Sequence, residues 1–147
     1  MRKQFRTILI ALVALSGAAS SNAQDGGVLN ANTATAAEMA ALPHMDDDLA
    51  NAVVKSRPFD TIRDLDNLLA ADLDDDQLQE LYTRLFLPIN LNTAAEADIL
   101  LIPGVGKRMA HEFEEYRPYS NIEQFRREIG KYVDAAEVAR LEQYVTL

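Results

Sequence analysis

Leu101-Ile102-Pro103-Gly104-Val105-Gly106-Lys107-Arg108-Met109-Ala110 is the stretch whose reading decides the fold. Two apolar residues run into Pro103, which disfavours helix at Ile102 and closes whatever helix precedes it. Gly104 and Gly106 reach backbone angles that side-chain-bearing residues avoid, and they leave bare backbone at the surface. Lys107 and Arg108 then fall in the first turn of a new helix. The helix dipole is already positive there, so the two cations add nothing to helix stability. Free N–H groups, a positive helix end and two cations together make a seat for a phosphate.

Working outward, the chain repeats itself at an offset of sixty residues with no gap. Asn30 and Asn32 match Asn90 and Asn92, Thr33-Ala34 matches Thr93-Ala94, and Pro43 matches Pro103. Arg57-Pro58-Phe59 matches Arg117-Pro118-Tyr119; Leu65 matches Phe125, Asp74 matches Asp134, and Leu81 matches Leu141. Self-similarity at a fixed period marks a duplicated structural unit. Unit one is placed at 28–87 and unit two at 88–147. The join, Leu85-Phe86-Leu87-Pro88-Ile89, is short and apolar, whereas a flexible linker is polar or rich in Gly and Ser. The two units are therefore expected to pack together.

The pattern inside each unit is helical. Thr93-Ala-Ala-Glu96 reads as a capping box opening a helix to about Ile102. Val105, Met109, Phe113 and Tyr116 recur at helical spacing, which predicts a second helix over about 106–116 with one buried face. Met45, Leu49 and Val53 repeat that face in unit one. Arg117-Pro118 stops the helix, and Ser120 or Asn121 caps a third one through Phe125. Asp134-Ala-Ala-Glu137 opens a last helix that places Val138, Leu141 and Val145 on one side. Asp74 and Gln77, followed by Leu78, Leu81 and Leu85, do the same in unit one. No alternating strand pattern is visible. The fold class is read as all-α, two small helical bundles of ~60 residues each, a size at which stacking of copies aids stability.

Ahead of the repeat, Arg2, Lys3 and Arg6 form a basic start, Thr7–Ala19 is an uncharged apolar run, and Ser21-Asn22-Ala23 offers the small residues of a cleavage site. This predicts a signal peptide at 1–23 and an exported, periplasmic or secreted protein with no membrane anchor in its mature form. The chain has no cysteine, which removes disulfides, thiolate metal sites and lipid attachment through Cys. Its net charge is −9, from 14 basic and 23 acidic residues. Three of the basic residues lie in the signal stretch, so the rest carries 11 against 23, or −12. So acidic a surface excludes general adhesion to nucleic acid or anionic lipid and leaves only a local site.

Ile89-Asn-Leu-Asn-Thr-Ala94, Ile102-Pro-Gly-Val-Gly-Lys-Arg-Met-Ala110 and Tyr116-Arg-Pro-Tyr-Ser-Asn-Ile122 together resemble the helix-hairpin-helix domain of the ComEA competence DNA-receptor family. The resemblance covers unit two end to end, and unit one through the repeat. It implies two tandem helix-hairpin-helix units that bind DNA without reading sequence. On that basis Gly104, Val105, Gly106, Lys107 and Arg108 form the DNA-binding loop, and Ala110 lets the two hairpin helices approach closely. It implies no cofactor, with a monovalent cation on the loop carbonyls of Ile102 and Val105 as an open alternative. Contacts of amides and cations with phosphate position a duplex without carrying base information. Arg126, Arg127 and Lys131 either extend the phosphate path across a second hairpin near Ile129-Gly130-Lys131 or form a solvated face.

Unit one departs from this pattern. Its loop reads His44-Met45-Asp46-Asp47-Asp48, with both glycines gone and both cations replaced by aspartate. Carboxylates at a helix start stabilise it by about 0.3–1 kcal/mol each, and they repel phosphate. Unit one carries 4 basic and 13 acidic residues over 24–88, and unit two 7 and 10 over 89–147. Surface charge is screened over ~8 Å at physiological salt, so the excess in unit one weakens binding by unit two without forbidding it. Unit one is read as a structural copy, with its acidic loop a docking place for a basic protein partner.

Asp72–Asp76 lacks the Gly and the closing Glu of an EF-hand loop and reads as a helix start capped by Asp74. Glu112, Glu114 and Glu115 read as a wet helix face, as does Asp60–Asp66. The two histidines, His44 and His111, match no zinc pattern, and no serine lies in a nucleophile signature, so no enzyme activity is expected. The rival to DNA binding is a protein-interaction or structural module that uses the acidic loop or the Arg117-Pro118-Tyr119 corner.

Overall fold

The structure, a computed structural model, describes residues 26–147. The expected signal peptide at 1–23 lies outside the described residues. Among those described, no helix is long and apolar enough to cross a membrane.

The chain is largely helical. β1 (Leu29–Asn30), α1 (Ala36–Ala40), α2 (Asp47–Ser56), α3 (Ile62–Leu69), α4 (Asp75–Tyr82) and β2 (Leu85–Phe86) come first. The same order follows sixty residues on: β3 (Ile89–Asn90), α5 (Glu96–Ile99), α6 (Lys107–Glu115), α7 (Ile122–Ile129), α8 (Ala135–Glu142) and β4 (Val145–Thr146). Each copy is closed by a two-residue parallel pair, Leu29 opposite Leu85 in one and Ile89 opposite Val145 in the other. The largely helical chain agrees with the all-α class expected, and these two short pairs are an addition to it. Leu85 and Val145, expected on the last helix of each copy, lie in β2 and β4, because α4 and α8 are capped at Thr83 and Gln143. Runs of two residues are too short to show a period.

Short local signals set most helix starts. The side chains of Asp46, Asp74, Asn121 and Asp134 accept hydrogen bonds from the N–H three residues on, which satisfies donors that have no partner inside the helix. The start of α5 differs from its expected place. Thr93 donates its N–H to the Asn90 carbonyl, and the cap position is Ala95, which has no side-chain acceptor. In α1 the same place is held by Thr35, in a reciprocal capping box with Glu38. The unit-two counterpart of Glu38 is Asp98, which is buried and reaches Arg63 of unit one at 3.2 Å.

The matched phrases on either side of each helix pair lock together. Asn92 donates to the Tyr119 carbonyl (3.0 Å) and accepts from the Tyr119 N–H (2.7 Å), while Arg117 donates to the carbonyls of Leu91 and Ala94 (2.6 and 2.7 Å). Asn32, Phe59 and Arg57 repeat these bonds in unit one. In the Arg117-Pro118-Tyr119 corner, offered above as a docking surface, Tyr119 is buried and Arg117 is occupied by backbone, which leaves Pro118 as its exposed residue.

The two units share one core. Leu85, Phe86, Leu87 and Ile89 of the join are buried. The Phe86 ring meets Tyr82 edge-on at 5.6 Å and Tyr144 at 5.0 Å, and the Tyr144 hydroxyl donates to the Tyr82 carbonyl at 3.1 Å. Tyr82 itself donates to Asp66 at 2.6 Å, and burial with that carboxylate pushes its phenol well above the ordinary range. Aromatic edge contacts of this kind add about 0.5–1.5 kcal/mol each beyond their buried area.

Candidate functional site

The turn between α5 and α6 is built as follows. Pro103 and Val105 are buried and anchor it, while Gly104 and Gly106 are exposed. Gly104 sits at φ 79°, in the left-handed region that only glycine adopts without cost. The Val105 N–H closes the turn on the Ile102 carbonyl at 3.0 Å. Ala110 is fully buried. Gly106 is the cap residue of α6 and has no side chain to offer. The N–H groups of Gly106, Lys107, Arg108 and Met109 have no acceptor among the described residues. Lys107 and Arg108 are exposed and form no ion pair there. Bare donors, a helix end and two free cations are brought to one place.

Unit one shows what the same backbone does with other residues. His44 keeps the left-handed angle (φ 61°), a conformation that costs a non-glycine residue about 1–2 kcal/mol. Its Nε2 lies 2.7 Å from the Glu80 carboxylate of α4. Asp46 fills the seat at the start of α2 with its own carboxylate, 2.8 Å from the Leu49 N–H. The Leu49 N–H, whose counterpart Met109 N–H is open in unit two, is closed here by an anion.

Sequence reasoning missed two neighbours of the loop. Arg140 on α8 is one: its guanidinium nitrogen would stand 3.4 Å from a Cβ placed on Gly104. It is paired twice with Glu137 (2.8 and 2.7 Å), a bond that raises the pKa of Arg140 and lowers that of Glu137. Its distance in sequence from the loop hid it. Glu112 is the other. It was expected on a wet face, yet it is 9 % exposed and its Oε2 has no hydrogen-bond partner. Glu114 is half-buried beside Arg117, and Glu115 alone of the three faces solvent.

Glu112 lines a cleft of about 450 Å³ with Gly106, Arg108, Met109, Lys131 and Tyr132. Tyr132 is 40 % exposed, and its hydroxyl lies 2.7 Å from that of Tyr116. That bond first, and the Glu112 carboxylate second, push the Tyr132 phenol above its ordinary range. The remaining cations near the second turn are matched by carboxylates. Arg126 is paired with Glu142 at 2.5 Å, while Arg127 and Lys131 share Glu128, which lowers the Glu128 pKa. They form an ion-paired surface more than an open phosphate path. Among the described residues no three His, Cys, Asp or Glu side chains converge as a metal site.

Comparison of the chain with family models, with curated proteins and with solved structures gives no match.

Proposed function

We propose that this chain is an exported protein of two tandem helix-hairpin-helix units that binds DNA without reading its sequence. Contact is made through phosphates seated at the Gly104–Arg108 loop of unit two, and DNA uptake is the setting. The observation that carries this reading is the start of α6. Among the described residues its first-turn donors are uncapped, two unpaired cations flank them, and the sister helix α2 has the same place closed by Asp46. An uncapped helix N-terminus beside cations attracts an oxyanion, and with so few contacts the affinity is weak and salt-sensitive. No enzymatic role, resident cofactor or membrane contact of the mature chain belongs to this reading.

The test is fluorescence anisotropy with a labelled duplex at low salt, comparing the chain with its Lys107→Glu, Arg108→Glu double variant. Binding by the first and its loss in the second is the expected result; equal binding by both removes the loop from the account. A second reading has one observation in its favour. The unit-one counterpart of the cleft, about 410 Å³, is lined by Asp46, Asp48 and Asp72, and none of the three is ion-paired among the described residues. Such a surface suits a basic protein segment. It becomes the leading account if no duplex binding is seen at low salt.

A further inference from the structure

A buried carboxylate oxygen without a partner is a costly thing to keep in a fold. The Glu112 carboxylate lies at the wall of the cleft beside α6 in that condition, with Oε2 unpartnered and the residue 9 % exposed. The fold does not require it, because the equivalent residue in unit one is Ala52, which lines the matching cleft there. The other lining residues change with it: Tyr132 corresponds to Asp72, Arg108 to Asp48 and Gly106 to Asp46. Only unit two therefore brings together a buried acceptor, a half-exposed aromatic ring and an open phosphate seat.

We propose that this cleft receives an unpaired nucleobase that presents hydrogen-bond donors, guanine fitting best, while the adjoining loop holds the phosphate of the same strand. The phosphate half rests on the reading given above; the base half rests on Glu112 and Tyr132. The two oxygens of a carboxylate accept hydrogen bonds side by side, which suits paired donors. Guanine offers N1–H and the N2 amine side by side, whereas thymine sets its one N–H between two carbonyl oxygens that a carboxylate repels. Tyr132, partly exposed and held at its hydroxyl by Tyr116, supplies a ring on which a base stacks. Glu112 lies five residues beyond Lys107 on α6, about 8 Å along the axis, a span that one nucleotide bridges from phosphate to base. A cleft of about 450 Å³ also lies within the range of small-ligand sites. Duplex DNA has no free base to offer, so the preference is for single strands and frayed ends.

The test uses labelled single-stranded pentamers with guanine, hypoxanthine or thymine at the centre of four thymines, read by anisotropy against the full chain. The guanine pentamer is expected to bind about tenfold more tightly than the all-thymine one, the order of discrimination that a two-bond contact to a base edge gives. Hypoxanthine, which lacks the N2 amine, should lose most of that gain. Glu112→Gln and Glu112→Ala should abolish the preference, bringing the guanine and all-thymine pentamers to within about twofold of each other. Lys107→Glu with Arg108→Glu should lower the affinity for every strand. Equal binding of the guanine and thymine pentamers, or a preference that survives both Glu112 variants, overturns the base seat, and the phosphate reading then stands without it if duplex binding persists. Absence of binding to any strand at low salt overturns both. The hypoxanthine comparison leaves the protein untouched and decides the matter even if a Glu112 variant fails to fold.

Discussion

Replacing Gly106 by aspartate should make the protein more stable and a worse binder at once. The position is suited to the change: Gly106 is extended (φ −98°, ψ 176°), and a Cβ built on it meets nothing within 4 Å. The model for the result is already in the chain, where Asp46 caps α2 at 2.8 Å from the Leu49 N–H. An aspartate cap is worth a few tenths of a kcal/mol over glycine, and its charge on the helix dipole adds about 0.3–1 kcal/mol. The sum, about 0.5–1.3 kcal/mol, raises the melting temperature of a chain this size by about 2–5 °C. The same carboxylate occupies the Met109 N–H, one of the donors that would hold a phosphate, and repels any phosphate that approaches. Two like charges about 4 Å apart near a protein surface cost several kcal/mol, so a loss of affinity of at least about tenfold is the conservative expectation. Thermal melts followed by circular dichroism and duplex titrations followed by anisotropy read the two effects separately. A lower melting temperature would show that the α6 donors are already satisfied. Affinity kept within twofold would show that they are not what DNA touches.

Other expectations concern the loop and the core. Gly104→Ala forces a side chain into φ 79° and against Arg140, and it should cost about 1–2 kcal/mol in urea denaturation; an unchanged midpoint would mean that the turn relaxes freely. Phe86→Ala removes the ring between Tyr82 and Tyr144 and should destabilise by about 3–5 kcal/mol, with both units lost in one calorimetric transition; two separate transitions would show that they fold independently. Acidification should unfold the chain. The carboxylates of Glu137 and Glu142 are held below their ordinary range by hydrogen bonds from Arg140 and Arg126. A depressed pKa gives stability that is full above the unfolded value of about 4.3 and lost as pH falls through the folded value. The melting temperature should be flat from pH 7 to about 5 and then drop; a flat profile to pH 3 would contradict these pairs.

Features fixed by short-range chemistry were legible in the sequence. Asp46, Asp74, Asn121 and Asp134 cap helices because a side-chain oxygen reaches an N–H three residues away, an event that depends on no distant contact. The repeat placed Lys107 and Arg108 in the first turn of α6 for the same reason. What escaped was long-range. Ala95 and not Thr93 stands at the start of α5, because Thr93 is used up in the turn that follows β3. The strand pairs join residues 56 apart, Leu29 to Leu85 and Ile89 to Val145, through only two residues on each side. Glu112 reads as solvated among its acidic neighbours, yet the turn carrying Lys131 and Tyr132 faces it across the cleft. Arg140 stands beside Gly104 only because α8 returns to the loop. The helical class was therefore readable, and the loop residues were named; the walls around the loop needed the tertiary structure.

The central claim is that phosphate is held at the Gly104–Arg108 loop, and the salt dependence of duplex binding tests it most directly. Neutralising two phosphates with Lys107 and Arg108 predicts that log K falls against log salt with a slope of about −2, and that the slope disappears in the Lys107→Glu, Arg108→Glu variant. A slope of zero, or the same slope in both proteins, would contradict it.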